Sequence, residues 1–170
     1  MYEDEVAKWR AERDDFFGSH YASPLSDEVM AAFVGLAYFG VDPALVFEVA
    51  MEEAGSDLEI TSSTGGSSRY PVAGAVTVPF PDGSKTLIAL RGEEDEIFIP
   101  FRDATSGAES YGGGRYAPLE PEQGGRFVVD FNRAINPYCA YDEDFSCPLP
   151  PAQNWIDHPI EAGEMDYRST

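Results

Sequence analysis

The sequence is short of lysine: only Lys8 and Lys85 occur among its 170 residues. Eleven basic residues stand against 31 acidic ones, and the formal net charge is −20. Such a surface repels nucleic acid and anionic membranes, so we expect neither as a partner. Acids spread along the whole chain, together with scarce lysine, favour adaptation to molar salt, where the Debye length is about 3 Å. The alternative is an acidic protein of an ordinary, low-salt cytoplasm.

Long apolar runs are also missing from the chain. No stretch approaches the roughly 18 consecutive apolar residues that a membrane-spanning helix needs. The N-terminal stretch MYEDEVAKWR is acidic and lacks the apolar core of a signal peptide. We therefore expect a soluble, cytoplasmic protein. Eleven Phe and nine Tyr predict a packed core, and the length predicts a single domain over residues 1–170.

The first 40 residues have a helical pattern. Apolar residues at three- and four-residue spacing predict a helix over residues 2–17, with Gly18 as its stop. Ser26 is placed to cap a short second helix whose first residues are acidic, which suits the positive end of a helix dipole. We assign residues 1–40 to a helical N-terminal segment.

Residues 45–133 carry the two-residue alternation that is typical of β-strands. PDGS at residues 81–84 is a hairpin signal. Alternating segments occur in VFEVAME, LEITSST, RYPVAGAVTVPF, KTLIAL, EIFIPF, YGGGRYAPL and RFVVDFN. The pattern predicts a mainly β, α+β protein with about seven antiparallel strands in a small barrel or sandwich. Residues 134–170 are rich in proline, and we expect them to form an ordered coil that wraps over the sheet.

Several long motifs resemble a known family. In the second half of the chain these are FIPFRDATSG, YGGGRY, DFNRAINPYCAY, CPLPPAQN and PIEAGE, and in the first half WRAERDDFF, SPL and FVGLAYF. Together they resemble the domain of unknown function 1684 family of bacteria and archaea, over nearly the whole chain. Ser110 stands where we would expect Thr, and it keeps the hydroxyl. The resemblance implies no established activity, so the function must be argued from the residues themselves.

Four of the nine arginines lie between residues 102 and 133. Strand parity puts Asp130 and Asn132 on the face of their strand opposite the phenylalanines. If the phenylalanine face packs under the N-terminal helices, Asp130 and Asn132 point into the barrel. Because guanidinium groups bind carboxylate and phosphate bidentately, a polar cavity there would suit a small anionic metabolite. The candidate ligand-binding residues are Arg102, Tyr111, Arg115, Asp130, Asn132, Arg133 and Asn136.

Two other functions are compatible with the same residues. In a structural or interaction protein without a cavity, Arg102 and Arg133 would pair with acids only to brace the C-terminal coil. In an enzyme, such as a hydrolase, Asp130 would act as a general base or Cys139 as a nucleophile, although no catalytic residue is assigned. The three glycines at 112–114 lack the strand-to-helix context of a phosphate loop and favour a bulge or a close backbone approach.

The two cysteines, Cys139 and Cys147, leave three alternatives. A zinc site would need two further ligands, and the spacing of the two cysteines matches no common zinc pattern. We therefore expect no metal and no cofactor. A disulfide closing CAYDEDFSC is feasible, but a cytoplasmic protein keeps its thiols reduced. We favour two buried thiols that pack the coil against the sheet. The sequence leaves the oligomeric state and the identity of any ligand open.

Overall fold

Seven antiparallel strands form one sheet that closes on itself. The computed structural model describes residues 1–167. The strands are β1 Val46–Glu52, β2 Asp57–Thr61, β3 Ser67–Phe80, β4 Gly83–Arg91, β5 Ile97–Phe101, β6 Arg115–Pro121 and β7 Arg126–Asp130. The first strand pairs with both β7 and β3, so every strand except β2 belongs to a closed six-stranded barrel. The prediction of about seven antiparallel strands in a small barrel or sandwich is therefore confirmed, and of the two it is the barrel that forms.

The barrel interior is filled with apolar side chains. Alternate residues of each strand point inward, as Ala117 and Leu119 do in β6 and Val76 and Val78 do in β3, and all four are buried. Four phenylalanines from different parts of the chain pack together at its centre, with ring centroids 5.3 to 6.1 Å apart: Phe47, Phe80, Phe101 and Phe131. The prediction of a polar cavity inside the barrel is therefore wrong.

Two helices precede the barrel, α1 at Tyr2–Ser19 and α2 at Asp27–Ala31. The first helix continues past Gly18, whose missing side chain leaves room for the Phe33 ring; a Cβ atom there would lie 3.0 Å from it. Ser26 caps α2, as predicted, by accepting a hydrogen bond from the Val29 N–H at 3.3 Å. Among residues 1–167, no helix has the length and apolarity needed to cross a membrane.

From Ala134 to Tyr167 the chain runs over the barrel as a coil with short 3-10 turns. Buried Asn154 fastens it to two strands: its side-chain oxygen accepts from Ile88 N–H at 2.8 Å, and its amide donates to the carbonyls of Ile88 and Pro100. The Asn154 side chain thus forms hydrogen bonds with backbone groups that the irregular coil meets, as the sequence suggested. Residues 168–170, the end of the predicted coil, lie outside the described residues.

At Gly163 the coil lies close against the backbone at the end of β7, near the carbonyls of Phe131 and Ala134. Its φ is +78°, and a Cβ atom would lie 2.7 Å from the Ala134 carbonyl oxygen. We expect Gly163→Ala to lower the free energy of unfolding by about 2–4 kcal/mol, from left-handed strain plus the clash. Gly124→Ala is the matched control, because Gly124 has a φ of +74° but open space around it, and about 1 kcal/mol is expected. Equal losses in urea unfolding would contradict the close approach.

Candidate functional site

Arg115 is the first residue of β6, and its side chain is completely buried. Its guanidinium donates to Asp103 Oδ1 at 3.3 Å and to the carbonyl oxygens of Ile160 and Glu164 at 2.9 and 3.1 Å, and it also bonds the Ala162 carbonyl. Burial lowers its pKa, and the nearby Asp103 carboxylate opposes that shift. Arg115 therefore fastens residues 160–164 to the barrel, with most of its donors already used by the protein.

A second buried ion pair joins the first helix to the coil. Arg13 donates through Nε to Glu164 Oε1 at 2.9 Å and bonds the same oxygen through Nη2. The other carboxylate oxygen accepts from the Tyr141 hydroxyl at 2.8 Å and the Asn136 N–H at 2.6 Å. Burial, the largest single effect, lowers the pKa of Arg13, but attraction to Glu164, Tyr38 and Tyr141 and the hydrogen bonds to Glu164 together raise it. We call this set, with Arg115 and Asp103, the coil-anchoring network.

Asp130 and Asn132 face the N-terminal helix rather than the barrel interior. The predicted parity is correct, but the phenylalanine face of β7 points inward, because Val129 and Phe131 pack into the core. Asp130 accepts from the Tyr2 hydroxyl at 2.8 Å and lies 3.5 Å from the Arg133 guanidinium. Burial and the hydrogen bond to Asp130 raise the pKa of Tyr2. These contacts tie the first residues of the helix to the barrel.

Tyr111 does not lie on a strand with Arg115, because the chain turns at residues 111–114 and β6 begins only at Arg115. In this turn Gly114 has a φ of +89°, and a Cβ atom there would lie 2.6 Å from the Phe101 carbonyl oxygen. The glycines thus permit a close backbone approach, as expected. The Tyr111 hydroxyl lies 3.5 Å from Cys139 Sγ.

Arg102 differs from the other predicted arginines. Its guanidinium lies 5.0 Å from the centroid of the Trp155 indole ring, and 48% of Trp155 is exposed to solvent. Among residues 1–167, Arg10 and Arg102 are the two arginines without a carboxylate within 4.0 Å. Arg102 and Trp155 line a pocket of about 180 Å³ together with Asp103, Ile156 and Asp157.

The predicted binding residues therefore occupy several separate places. Arg115 and Asn136 meet at Glu164, in the coil-anchoring network. Asp130, Asn132 and Arg133 gather around Tyr2, while Arg102 and Tyr111 lie elsewhere. Strand parity correctly predicted which side chains of β7 share a face. It could not predict which of the two faces points into the barrel, so it did not predict which of these side chains would lie close together.

A larger concavity lies between α2 and the C-terminal coil, and we call it the acidic cleft. Its volume is about 590 Å³, within the range of small-molecule sites. Three acids and three aromatic rings line it: Asp142, Glu143, Asp144, Tyr141, Phe145 and Tyr167. The opposite wall is Ser23–Ser26 and Val29. No Lys or Arg occurs among the described lining residues, so the cleft presents negative charge beside aromatic rings.

The apolar part of the acidic cleft is accessible to solvent. Val29 is 37% exposed and Phe145 is 40% exposed on opposite walls. Tyr141 is fixed by contacts with the protein interior. Its ring packs edge-on against Phe17, with 4.9 Å between ring centroids, and its hydroxyl donates a hydrogen bond to Glu164. The sequence reasoning missed this site; its signal was the run of three acids between Tyr141 and Phe145 in AYDEDF, residues 140–145.

The cysteines that flank this loop are both free and buried. The favoured prediction of two packed thiols is therefore confirmed. Among residues 1–167, no three or more His, Cys, Asp or Glu side chains are arranged to hold a metal ion.

The fold and its contacts define a class of protein: a six-stranded antiparallel barrel whose wrapping coil is fastened by buried ion pairs. The chain belongs to the family described as protein of unknown function (DUF1684), whose model matches residues 31–165. This confirms the resemblance seen in the sequence. The chain is also similar to the uncharacterized protein from gene locus rrnAC0354 of Haloarcula marismortui, solved by solution NMR. The two share 35% identity and a TM-score of 0.74, over 96% of this chain and 94% of the other. No curated protein matches the chain.

Proposed function

We propose that the protein is a binding module that holds a small organic cation in the acidic cleft. The observation that carries this proposal is the lining, in which three carboxylates and three aromatic rings surround about 590 Å³ without a basic residue among the described members. Carboxylates attract an ammonium group, and aromatic faces add a cation–π attraction. An ion of opposite sign also suits a protein of net charge −20.

The aromatic rings matter most if the protein works in concentrated salt. Exposed charges more than about 3 Å apart are screened in molar salt. Direct contact between a cation and a ring face is short-ranged, so screening weakens it less. Quaternary ammonium compounds, which combine charge with apolar methyl groups, therefore fit the cleft better than a bare metal ion does.

Choline and its neutral isostere 3,3-dimethylbutanol provide the direct test of this function. We expect choline to shift the amide NMR signals of Ser23, Leu25, Ser26 and residues 141–145 at concentrations where the isostere does not. An attraction of about 1–2 kcal/mol per well-placed ring predicts at least a several-fold preference for the cation. Equal binding of both compounds, or shifts confined to other surfaces, would rule out cation recognition by the cleft.

Phe145→Ala should weaken choline binding about 3–10-fold, because one exposed ring face is lost. Asp142→Asn should weaken it less in molar salt than in dilute buffer, since salt screens the lost charge. Glu93→Gln is the matched control: it removes the same charge from the turn between β4 and β5. A titration followed by NMR measures all three, and an unchanged affinity in Phe145→Ala would contradict the ring contact.

An anionic ligand at Arg102 is the second candidate. It is favoured by one observation: this guanidinium has no carboxylate within 4.0 Å among the described residues and stacks on a half-exposed indole beside a pocket of about 180 Å³. Inorganic phosphate should quench Trp155 fluorescence, and Arg102→Gln should abolish the effect. Quenching that persists in Arg102→Gln would count against this pocket. The other predicted arginine, Arg115, contributes nothing to it, because its donors face the protein interior.

A further inference from the structure

Two buried thiols stand at the two ends of the loop that lines the acidic cleft. Cys139 N–H donates to Cys147 Sγ, with 3.4 Å between nitrogen and sulfur. Cys139 and Cys147 are 4% and 8% exposed. The residues between them, 140–146, include five that line the cleft, from Tyr141 to Phe145. Any bond between the two sulfurs would therefore close a ring around one wall of the cleft.

The surroundings of the two thiols differ. Hydrogen bonding by Cys147 lowers the pKa of Cys139 despite its burial, and the Tyr111 hydroxyl adds to this effect. The pKa of Cys147 is raised by the same hydrogen bond and by burial. The thiol with the lowered pKa is the more reactive of the two, so an oxidant small enough to reach the pair reacts first at Cys139, and Cys147 then resolves the product.

The backbone on either side of the loop is already fixed. Cys147 exchanges two hydrogen bonds with Ser63, since its N–H donates to Ser63 Oγ at 3.0 Å and its carbonyl accepts from Ser63 N–H at 2.9 Å. At the other end, Tyr138–Ala140 forms a 3-10 turn. Both ends of the loop are thus fixed, with Cys147 Sγ against the Cys139 backbone, while Glu143, Asp144 and Phe145 between them are exposed.

We propose that Cys139 and Cys147 form a redox modification site, at which a small peroxide converts the two thiols to a disulfide that clamps residues 140–146. The Cys139 thiolate attacks one peroxide oxygen, the O–O bond breaks, and the leaving oxygen takes up a proton as an alcohol or water. The Cys147 thiol then attacks the sulfenic sulfur, the S–S bond forms, and water leaves. The two thiols lose two electrons and two protons in total, and the peroxide accepts both.

The clamp has a consequence for the cleft, which rests on the function proposed above. A ring closed between residues 139 and 147 restricts the loop before any ligand arrives. Pre-ordering removes part of the entropy cost of binding, so the oxidised protein should bind choline about 3–10-fold more tightly than the reduced protein.

Intact mass after treatment with hydrogen peroxide and alkylation tests the chemistry. We expect a monomer that has lost the mass of two hydrogen atoms, carries no alkyl group, and regains two alkylation sites after reduction. Cys147→Ser should instead accumulate a sulfenic acid that dimedone traps, whereas Cys139→Ser should trap far less. Two alkylated thiols after peroxide treatment, or bonds formed only between molecules, would overturn the proposal.

Hydrogen exchange of residues 140–146 tests the clamp without any ligand. Oxidation should slow exchange in this loop about tenfold and leave the turn at residues 92–96 unchanged. Unaltered exchange in a disulfide-bonded protein would overturn the clamp. If neither redox form binds choline, the cation function fails, while the mass and exchange results still decide the redox site. If both forms bind with the same affinity, the link between disulfide and cleft is wrong.

Discussion

Arg115→Met should lower the free energy of unfolding by about 3–5 kcal/mol. Methionine fills much of the same volume but carries no charge and donates no hydrogen bond. The Asp103 carboxylate therefore loses its buried counter-charge. Three backbone carbonyls, of Ile160, Ala162 and Glu164, lose a donor at the same time. Each buried acceptor left without a partner costs about 1–3 kcal/mol, so the lost carbonyl bonds contribute to this loss beside the unpaired carboxylate. Urea unfolding followed by tryptophan fluorescence measures it.

The dependence on salt separates this buried pair from the exposed ones. Arg69→Met breaks the pair with Asp57, whose side chains are both about half exposed, and should cost less than about 1 kcal/mol. Molar salt should erase that smaller effect, whereas the Arg115→Met loss should persist because solvent ions cannot reach the buried pair. Adding Asp103→Asn to Arg115→Met should recover part of the stability. Additive losses in the double variant would contradict the pairing.

Glu164→Gln should lower the free energy of unfolding by about 2–4 kcal/mol. The substitution keeps the shape of the side chain but puts an amide where a carboxylate accepts four hydrogen bonds, from Arg13, Tyr141 and Asn136. At least one of these hydrogen-bond donors then faces the NH2 group of the new glutamine, which is itself a donor. Arg13, which is mostly buried, also loses its only carboxylate partner among the described residues.

Glu48→Gln is the matched control for this variant. Glu48 pairs with Arg126 at 2.8 Å on the exposed face of the sheet, so the same change should cost less than about 1 kcal/mol. In a double-mutant cycle, Arg13→Met and Glu164→Gln should show a coupling of about 1–3 kcal/mol. A coupling near zero would mean that helix α1 is not fastened to the coil by this pair.

Together these two variants test the structural role that the sequence left open as an alternative. The coil-anchoring network has its charged groups inside the protein; Arg13 donates to the coil, and Arg115 donates both to the coil and to Asp103. Bracing of the coil therefore explains Arg115, Asn136 and Asp103 without a ligand. It does not explain the exposed aromatic and acidic residues of the cleft, which contribute little to the core.

Hydrophobic periodicity predicted the strands well because the two faces of a strand differ: one packs into the apolar core and the other faces outward. The alternation in β3 and the PDGS turn gave the β3–β4 hairpin, in which Phe80 pairs with Gly83. The prediction for YGGGRY was wrong in its first four residues, since glycines at 112–114 support a turn as readily as a strand. The predicted helix stop at Gly18 lies one residue before the observed last residue, Ser19, and Gly18 also leaves room for the Phe33 ring.

The sequence by itself determined the acidic surface, the antiparallel strands, the capped second helix and the family, and it left a barrel and a sandwich both open. These features follow from composition and from contacts between neighbours in the chain, which local patterns record. Only the tertiary structure decided which face of β7 points inward, because parity distinguishes two faces without saying which is covered. It also decided the pairing of Arg13 with Glu164, 151 positions apart, and the meeting of α2 with AYDEDF in one cleft. Such contacts depend on how the closed barrel brings distant segments together, and no local pattern encodes them.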